Sequence, residues 1–360
     1  MGNVVYLLGA GFSAPLGLPV MKDFLIRSKD LYAQDSKKFA SFKDIFDTIN
    51  QMHVAKSYYE TDLFNIEEIL SILEMEDTVK GGSRAESFSN YIKAVIDACT
   101  PLMPPPNLEK MPNGSWSATL SNFGESIFGP MDSVINRWAR FAASLIGMRF
   151  KTEIYATTDN ITKSVVCCKP ELLDSHYSVI TMNYDMTIEN CFRHVDTHFR
   201  KEPDCPKELL NNLPMAKLHG SVDSHVVAPT WKKWALGEVE EEWKQAYSML
   251  SQANHIRILG YSLPSSDSHV RYLLEAAVLK SPNLKRIDVI CLDGASGSVR
   301  KRYDSFIKFN FYRYKKADIR EYIPQKPELV DHVTHGSPPY HATDASFGNL
   351  ESWHERFMRD

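Results

Sequence analysis

The length, composition and charge of this chain are those of an ordinary globular protein, and they exclude several classes of function. It has 360 residues, of which 43% are hydrophobic and 24% charged, and its formal net charge is −4. A negative net charge gives no excess of basic residues for direct binding of nucleic acid. No apolar run reaches the roughly 18 residues that a membrane span needs. The 6 cysteines follow no pairing pattern, so we expect reduced thiols in a cytoplasmic protein.

The first residues predict a strand that runs into a glycine turn. The strand is the apolar run Val4–Leu8. The turn that follows it consists of Gly9, Ala10, Gly11, Phe12 and Ser13. Glycine lacks a Cβ, so the backbone N–H groups of such a turn can approach a pyrophosphate, and we predict that these five residues bind a dinucleotide. The spacing differs from that of dehydrogenases, which have a glycine three residues after Gly11.

The rest of the chain predicts an α/β protein. Apolar residues at helical spacing predict helices at Val20–Leu31, Phe64–Leu73, Tyr91–Cys99 and Met131–Phe150. Short apolar runs predict strands at Tyr177–Met182, Ala216–Leu218, Ile256–Leu259, Arg286–Leu292 and Phe309–Tyr314. We therefore predict a Rossmann-like, mostly parallel sheet flanked by helices, with an α-helical insertion after the first βα unit. The predicted domains are a core of residues 1–34 and 151–325, the insertion 35–150, and a loosely structured tail 326–360.

Polar residues follow several of the predicted strands, where ligands bind in open α/β sheets. These strand-end residues are Thr181, Asn183 and Asp185, then His219, then Gly260, Tyr261 and Ser262, and finally Asp293.

In kind and in order, these residues resemble the motifs of the sirtuin superfamily. Sirtuins open with Gly-Ala-Gly-x-Ser and Gly-x-Pro, continue with Thr-Gln-Asn-x-Asp and a catalytic His-Gly, and carry a Gly-Thr-Ser-Leu segment. The matching positions here are Gly9–Ser13 with Gly17–Pro19, then Thr181–Asp185, His219-Gly220 and Gly260–Leu263. The resemblance implies that NAD is bound as a substrate.

The sequence differs from that of protein deacylases of this superfamily at two points. Val20-Met21-Lys22 stands where deacylases have Asp-Phe-Arg, and the two Cys-x-x-Cys pairs of their zinc module are missing. The chain is more similar to a bacterial sirtuin-like branch that depletes NAD in anti-phage defence, through the segments Asn65–Glu68 and Pro229–Lys233 and through Asn183. This resemblance implies an NAD hydrolase without a metal, which forms a homo-oligomer and responds to a helicase-like ATPase partner or a phage-derived trigger.

The chemistry of NAD cleavage suggests a role for each candidate residue. His219 would act as the base, and Asn183 would orient water or ribose hydroxyls. Asp185 would bind ribose or nicotinamide, or stabilise the developing positive charge. Tyr261 and Ser262 would line the nicotinamide side, Gly260 beside them would also contact the cofactor, and Asp293 would bind the adenosine ribose. Asp185 could instead cap a helix, and Tyr261 and Ser262 could simply end a strand.

Other interpretations remain open at this point. Four residues have the types of zinc ligands but irregular spacing, which favours a helix surface and buried thiols: Cys191, His194, His198 and Cys205. The alternative functions are a sensor or assembly subunit that binds NAD or ADP-ribose without turnover, and an NAD-dependent deacylase or ADP-ribosyltransferase.

Overall fold

The computed structural model describes most of the chain. The described residues are 2–52, 62–104, 127–130, 133–156, 161–224, 226, 237–265, 267–279, 281–323, 328–330, 343–346 and 350–359. The strands are β1 (Gly2–Leu8), β2 (Arg149–Ala156), β3 (Ile161–Cys168), β4 (Ser175–Thr181), β5 (Arg200–Lys201), β6 (Met215–Lys217), β7 (His255–Leu259), β8 (Arg286–Cys291), β9 (Tyr312–Lys316), β10 (Glu328–Val330) and β11 (Thr343–Ser346).

Helices connect and cover these strands. They are α1 (Ala10–Ser13), α2 (Phe24–Gln34), α3 (Phe42–Gln51), α4 (Ile66–Lys80), α5 (Arg84–Cys99), α6 (Val134–Leu145), α7 (Thr187–His198), α8 (Gly237–Ser251), α9 (Ser268–Val278), α10 (Ser298–Phe306), α11 (Ile319–Tyr322) and α12 (Leu350–Arg359). Within the described residues, none of these helices combines the length and apolarity needed to cross a bilayer.

A parallel sheet of six strands forms the centre of the fold, in the order β6-β4-β1-β7-β8-β9. Every pairing within it is parallel, which confirms the predicted α/β class. Counted along the chain, the order is 3-2-1-4-5-6, the arrangement of a Rossmann sheet. The direction of winding therefore reverses between β1 and β7, and the carboxyl ends of these two strands flank the crevice in which such sheets bind ligands.

A second sheet, which the sequence did not predict, has the order β10-β11-β2-β3-β5. Its long hairpin pairs Phe150 with Cys167 in antiparallel register. The predicted helix Met131–Phe150 is therefore wrong at its end: α6 stops at Leu145, and Gly147 follows with a φ of +62°. Because glycine adopts this left-handed conformation without steric cost, it turns the chain from the helix into β2.

The helices before β2 divide between two hydrophobic cores. Helices α2, α3, α4 and α5 share one hydrophobic core, and we call these four helices the helical block. The buried residues of this core include Phe42, Leu70 and Ile92. Helix α6 instead packs its Trp138 and Phe141 into the core of the parallel sheet. The division of the chain into domains at residues 34, 150 and 325 stays a prediction.

The described residues of the tail, 328–330, 343–346 and 350–359, form strands and a helix, which corrects the prediction of loose structure for them; the rest of 326–360 lies outside the described residues. Helix α12 lies over the parallel sheet, with His354 fully buried. The Nη2 of Arg257 donates to the Glu351 carboxylate at 2.6 Å, and the Nε2 of His354 lies 2.8 Å from the carboxylate of Asp288. This helix is held through charged groups facing the sheet, which is why its polar sequence gave no sign of a buried element.

Asp288 lies beneath α12 and makes the stability of the fold sensitive to acid. Burial alone raises the pKa of this carboxyl, but hydrogen bonds from Arg313 and His354 outweigh that effect and lower the pKa from 3.8 to about 2. Because the folded-state value lies below the unfolded one, the stabilisation is complete above about pH 4 and is lost as the pH falls towards 2. A shift of this size corresponds to about 2 kcal/mol.

We expect Asp288→Asn to reduce the free energy of unfolding at pH 7 by about 3 kcal/mol, because it leaves Arg313 and His354 without their anionic partner. Urea unfolding between pH 2 and pH 7 measures both the loss and its pH dependence. Asp304→Asn serves as the control, since its side chain is 47% exposed and its ion pair with Arg300 spans a single helix turn. Equal unfolding of wild type and Asp288→Asn across this range would contradict the assignment.

Candidate functional site

The glycine turn packs tightly against the end of the neighbouring strand. The N–H of Gly9 donates to the carbonyl of Leu259 at 3.0 Å, and the N–H of Gly11 donates to that of Gly260 at 2.8 Å. A Cβ on Gly9 would lie 2.5 Å from the Cα of Tyr261. These glycines therefore allow the turn to approach β7 at the point where the strand order reverses.

These hydrogen bonds limit which N–H groups of the turn could donate to a phosphate. The N–H groups of Gly9 and Gly11 already have acceptors in the protein, and that of Phe12 donates to the carbonyl of Gly9. The ring of Phe12 is buried against Trp138, whose indole N–H donates to the Phe12 carbonyl at 3.1 Å. Ala10, by contrast, is exposed. A pyrophosphate at this turn would therefore meet Ala10 before the other residues.

Asn183 is joined directly to the glycine turn. Its amide Nδ2 donates to the carbonyl of Gly9 at 3.0 Å and to the Oγ of Ser13 at 3.1 Å. Its backbone N–H donates to the Oγ1 of Thr181, the last residue of β4. With both amide protons directed to the turn, the Oδ1 of Asn183 is the atom that can accept a hydrogen bond from a ribose hydroxyl or a water.

His219 lies at the same edge of the sheet, two residues beyond the end of β6. Gly220 follows it with a φ of +74°, a turn that favours glycine. The imidazole is only 2% exposed, and its ring centroid lies 6.0 Å from that of Tyr184. Because Tyr184 is the residue after Asn183, the strand ends after β4 and β6 meet here.

Two buried carboxylates flank the imidazole. The Oε1 of Glu67 lies 3.8 Å from Nδ1, and the Oδ1 of Asp267 lies 4.0 Å from Nε2. The other oxygen of Asp267 accepts a hydrogen bond from the Tyr261 hydroxyl at 2.7 Å. Burial, followed by the charges of Glu67 and Asp267, raises the pKa of Tyr184 well above its usual value. The surroundings of His219 are therefore negatively charged.

The remaining predicted residues have structural contacts. The carboxylate of Asp185 accepts from the N–H of Thr187 at 3.0 Å at the start of α7, as the helix-capping alternative expected. The carbonyl of Tyr261 accepts from the hydroxyl of Tyr303, and that of Ser262 accepts from Nε of Arg302.

Asp293 also contacts a helix terminus. Its two carboxylate oxygens accept from the N–H groups of Val299 and Arg300, in the first turn of α10. The carboxylate thereby stabilises the start of that helix. Whether Asp185 and Asp293 also bind a ligand stays a prediction.

The four residues considered as zinc ligands have separate partners. The Nε2 of His194 lies 2.8 Å from the carbonyl of Ile127, and the Sγ of Cys191 donates to the carbonyl of Thr187. The Nδ1 of His198 lies 2.9 Å from the carbonyl of His194, and the Sγ of Cys205 lies 3.7 Å from that of Cys167, on the second sheet.

Sequence reasoning did not name Glu67 or Asp267 as site residues, although Glu67 lies in the segment Asn65–Glu68 that supported the resemblance to the bacterial branch. Glu67 stands in the buried stripe of α4 beside Ile66 and Leu70, and a charged residue within an apolar stripe is a further signal that could have drawn attention to it. Asp267 lies four residues beyond Leu263, outside the segment Gly260–Leu263 that matched a sirtuin motif.

No family model matches the chain, and no curated protein matches it. Among solved structures, the chain is similar to a Sir2 complex with a p53 peptide and NAD⁺, at 13% identity and a TM-score of 0.35, over 89% of this chain and 90% of that one. A Sir2Tm structure with a propionylated peptide gives 12% identity and a TM-score of 0.32, covering 89% and 90% of the two chains. These scores are low, and the fold described above rests on the strand order itself.

Proposed function

We propose that this protein is an NAD⁺ hydrolase that cleaves the nicotinamide–ribose bond to give nicotinamide and ADP-ribose. The observation that carries the proposal is the bonding of Asn183 to the glycine turn at the reversal of strand order, with His219 at the same sheet edge. A dinucleotide across this crevice would meet the turn, the Asn183 carbonyl and the imidazole on one side of the sheet.

Each of these groups has a separate role in the proposed reaction. Water attacks the anomeric carbon of the ribose, the new C–O bond forms as the C–N bond breaks, and the bonding electron pair neutralises the leaving nicotinamide. His219 accepts the proton that the water loses, and the Oδ1 of Asn183 orients the water or a ribose hydroxyl. The carboxylates of Glu67 and Asp267 add negative charge near a centre that becomes positive in the transition state.

The proposal extends to the biological role that the motifs suggested. We propose a cytoplasmic, homo-oligomeric effector of anti-phage defence that depletes NAD when a helicase-like ATPase or a phage component triggers it. The support for this role is the similarity of the motif set to the bacterial sirtuin-like branch, together with the absence of Cys-x-x-Cys in the sequence.

The test is an NAD cleavage assay on the purified full-length chain, with each oligomeric species separated by gel filtration. We expect nicotinamide and ADP-ribose in equal amounts, without any acylated peptide. Nicotinamide release that depends strictly on an acyl-lysine peptide would replace the proposal with deacylation. Tight NAD binding without turnover in any species, alone or with the product of the neighbouring gene, would replace it with a binding function.

A further inference from the structure

The helical block brings a buried carboxylate to the proposed base. Glu67 lies in the first turn of α4, where its N–H donates to the side chain of the helix cap Asn65 at 3.0 Å. Its carbonyl accepts a hydrogen bond from Ser71 at 2.7 Å. The backbone of Glu67 is therefore fixed at both its donor and its acceptor, and its side chain, 9% exposed, points to the Nδ1 of His219.

A buried carboxylate such as that of Glu67 is stabilised by a cation close to it. A glutamate is rarely buried without a cationic or hydrogen-bonding partner, because the charged form loses its hydration. The imidazole at 3.8 Å becomes such a partner when it takes up a proton. Glu67 is therefore placed to stabilise His219 when the imidazole becomes positively charged during the reaction.

The other charged and titratable groups near the imidazole come from the sheet side, except for Glu74, which lies on α4. Asp267, before α9, faces Nε2, and the Tyr261 hydroxyl after β7 holds it. Tyr184, after β4, lies beside the ring, and the charge of Glu74 on α4 contributes to the raised pKa of Tyr184. Lys217, two residues before His219, directs its Nζ to Glu189 at 2.8 Å. Glu67 is therefore the group on the Nδ1 side that the helical block supplies.

We propose that Glu67 is a positioning residue for His219, so that the helical block completes the catalytic site. This inference rests on the NAD cleavage proposed above. A carboxylate on the Nδ1 side keeps a proton on Nδ1, orients the ring and stabilises the imidazolium that forms when Nε2 accepts a proton. Glu67 does not itself contact the reacting atoms in this scheme.

The test is Glu67→Gln, which keeps the size of the side chain and removes its charge. The pKa of the His219 imidazole, followed by NMR titration and assigned with His219→Gln, should fall by about one unit, because an anionic neighbour is lost. At saturating NAD, kcat should fall roughly 10- to 100-fold, and the acidic limb of its pH profile should move to lower pH by the same amount. A merely structural role would change kcat without moving the limb.

Glu76→Gln is the matched control, because Glu76 lies on the same helix and pairs with Lys80 at 3.0 Å, outside the site. It should leave both the titration and the rate as in the wild type. If Glu67→Gln does not fold, Glu67→Asp keeps the charge at a greater distance and should shift the imidazole pKa in the same direction by less.

An unchanged His219 titration in Glu67→Gln would overturn the inference, whether or not the protein cleaves NAD, because the titration needs no turnover. Conversely, a shifted titration in a protein without NAD cleavage would support the pairing of Glu67 with His219 while contradicting the proposed function. The two failures are therefore distinguishable.

Discussion

His219→Ala is expected to lower kcat for NAD cleavage by about 1,000-fold, with little change in NAD binding. A positioned base contributes about 100- to 10,000-fold to such a reaction, and His219 is the proposed proton acceptor. The glycine turn and Asn183, which would hold the dinucleotide, bond directly to each other. Nicotinamide release at saturating NAD measures the rate, and isothermal titration calorimetry measures the binding.

His176→Ala is the control for this prediction. His176 lies on β4 of the same sheet and its side chain is exposed, so we expect the wild-type rate. Because His219 is buried, thermal unfolding of both variants should be compared with that of the wild type. A folded His219→Ala protein that turns over NAD at the wild-type rate would show that the proposed base is wrong.

Gly260→Ala is expected to have the largest effect on the fold of the site. Gly260 has a φ of +63°, and a Cβ there would lie 2.3 Å from the backbone nitrogen of Phe12 and 2.4 Å from the carbonyl carbon of Gly11. Neither atom can move without displacing the glycine turn. The left-handed conformation alone costs about 1–2 kcal/mol for alanine, and the clash raises the expected loss in free energy of unfolding to roughly 3–5 kcal/mol. Urea unfolding measures this loss.

Gly294→Ala is the matched control, since Gly294 also follows a strand of the parallel sheet but a Cβ there would have no atom within 4 Å. Its stability should remain within about 0.5 kcal/mol of the wild type. If Gly260→Ala unfolds at the same urea concentration as Gly294→Ala, the close contact between the turn and β7 is not required for the fold.

The parallel sheet could be predicted because its strands are buried on both faces. Such strands are continuous apolar runs, as in Val4–Leu8 and Ile256–Leu259, and the polar residues that follow them mark the carboxyl edge. The structure confirms the strands predicted at β4, β6, β7 and β8, while β9 begins at Tyr312, later than predicted. The predicted start of a helix was also inexact, since α2 begins at Phe24 and not at the predicted Val20.

The second sheet and α12 could not be predicted from apolar runs in the sequence. Arg149 and Phe150 continued the helical spacing of the residues before them, and only their pairing with β3 makes them a strand. Helix α12 is polar because it is held by ion pairs with Arg257 and Arg313, partners that lie about 40 to 100 residues away in the chain.

The sequence by itself determined the α/β class and the strand ends that carry polar residues, because apolar runs and glycine turns are local properties of the chain. It also brought Asn183 and His219 forward as candidates. Only the tertiary structure decided what surrounds them: Asn183 directs its amide protons to the glycine turn, and Glu67 and Asp267 flank the imidazole. Such contacts join residues up to about 170 positions apart, and their distances depend on how the strands are ordered and how the helical block packs, which no local pattern records.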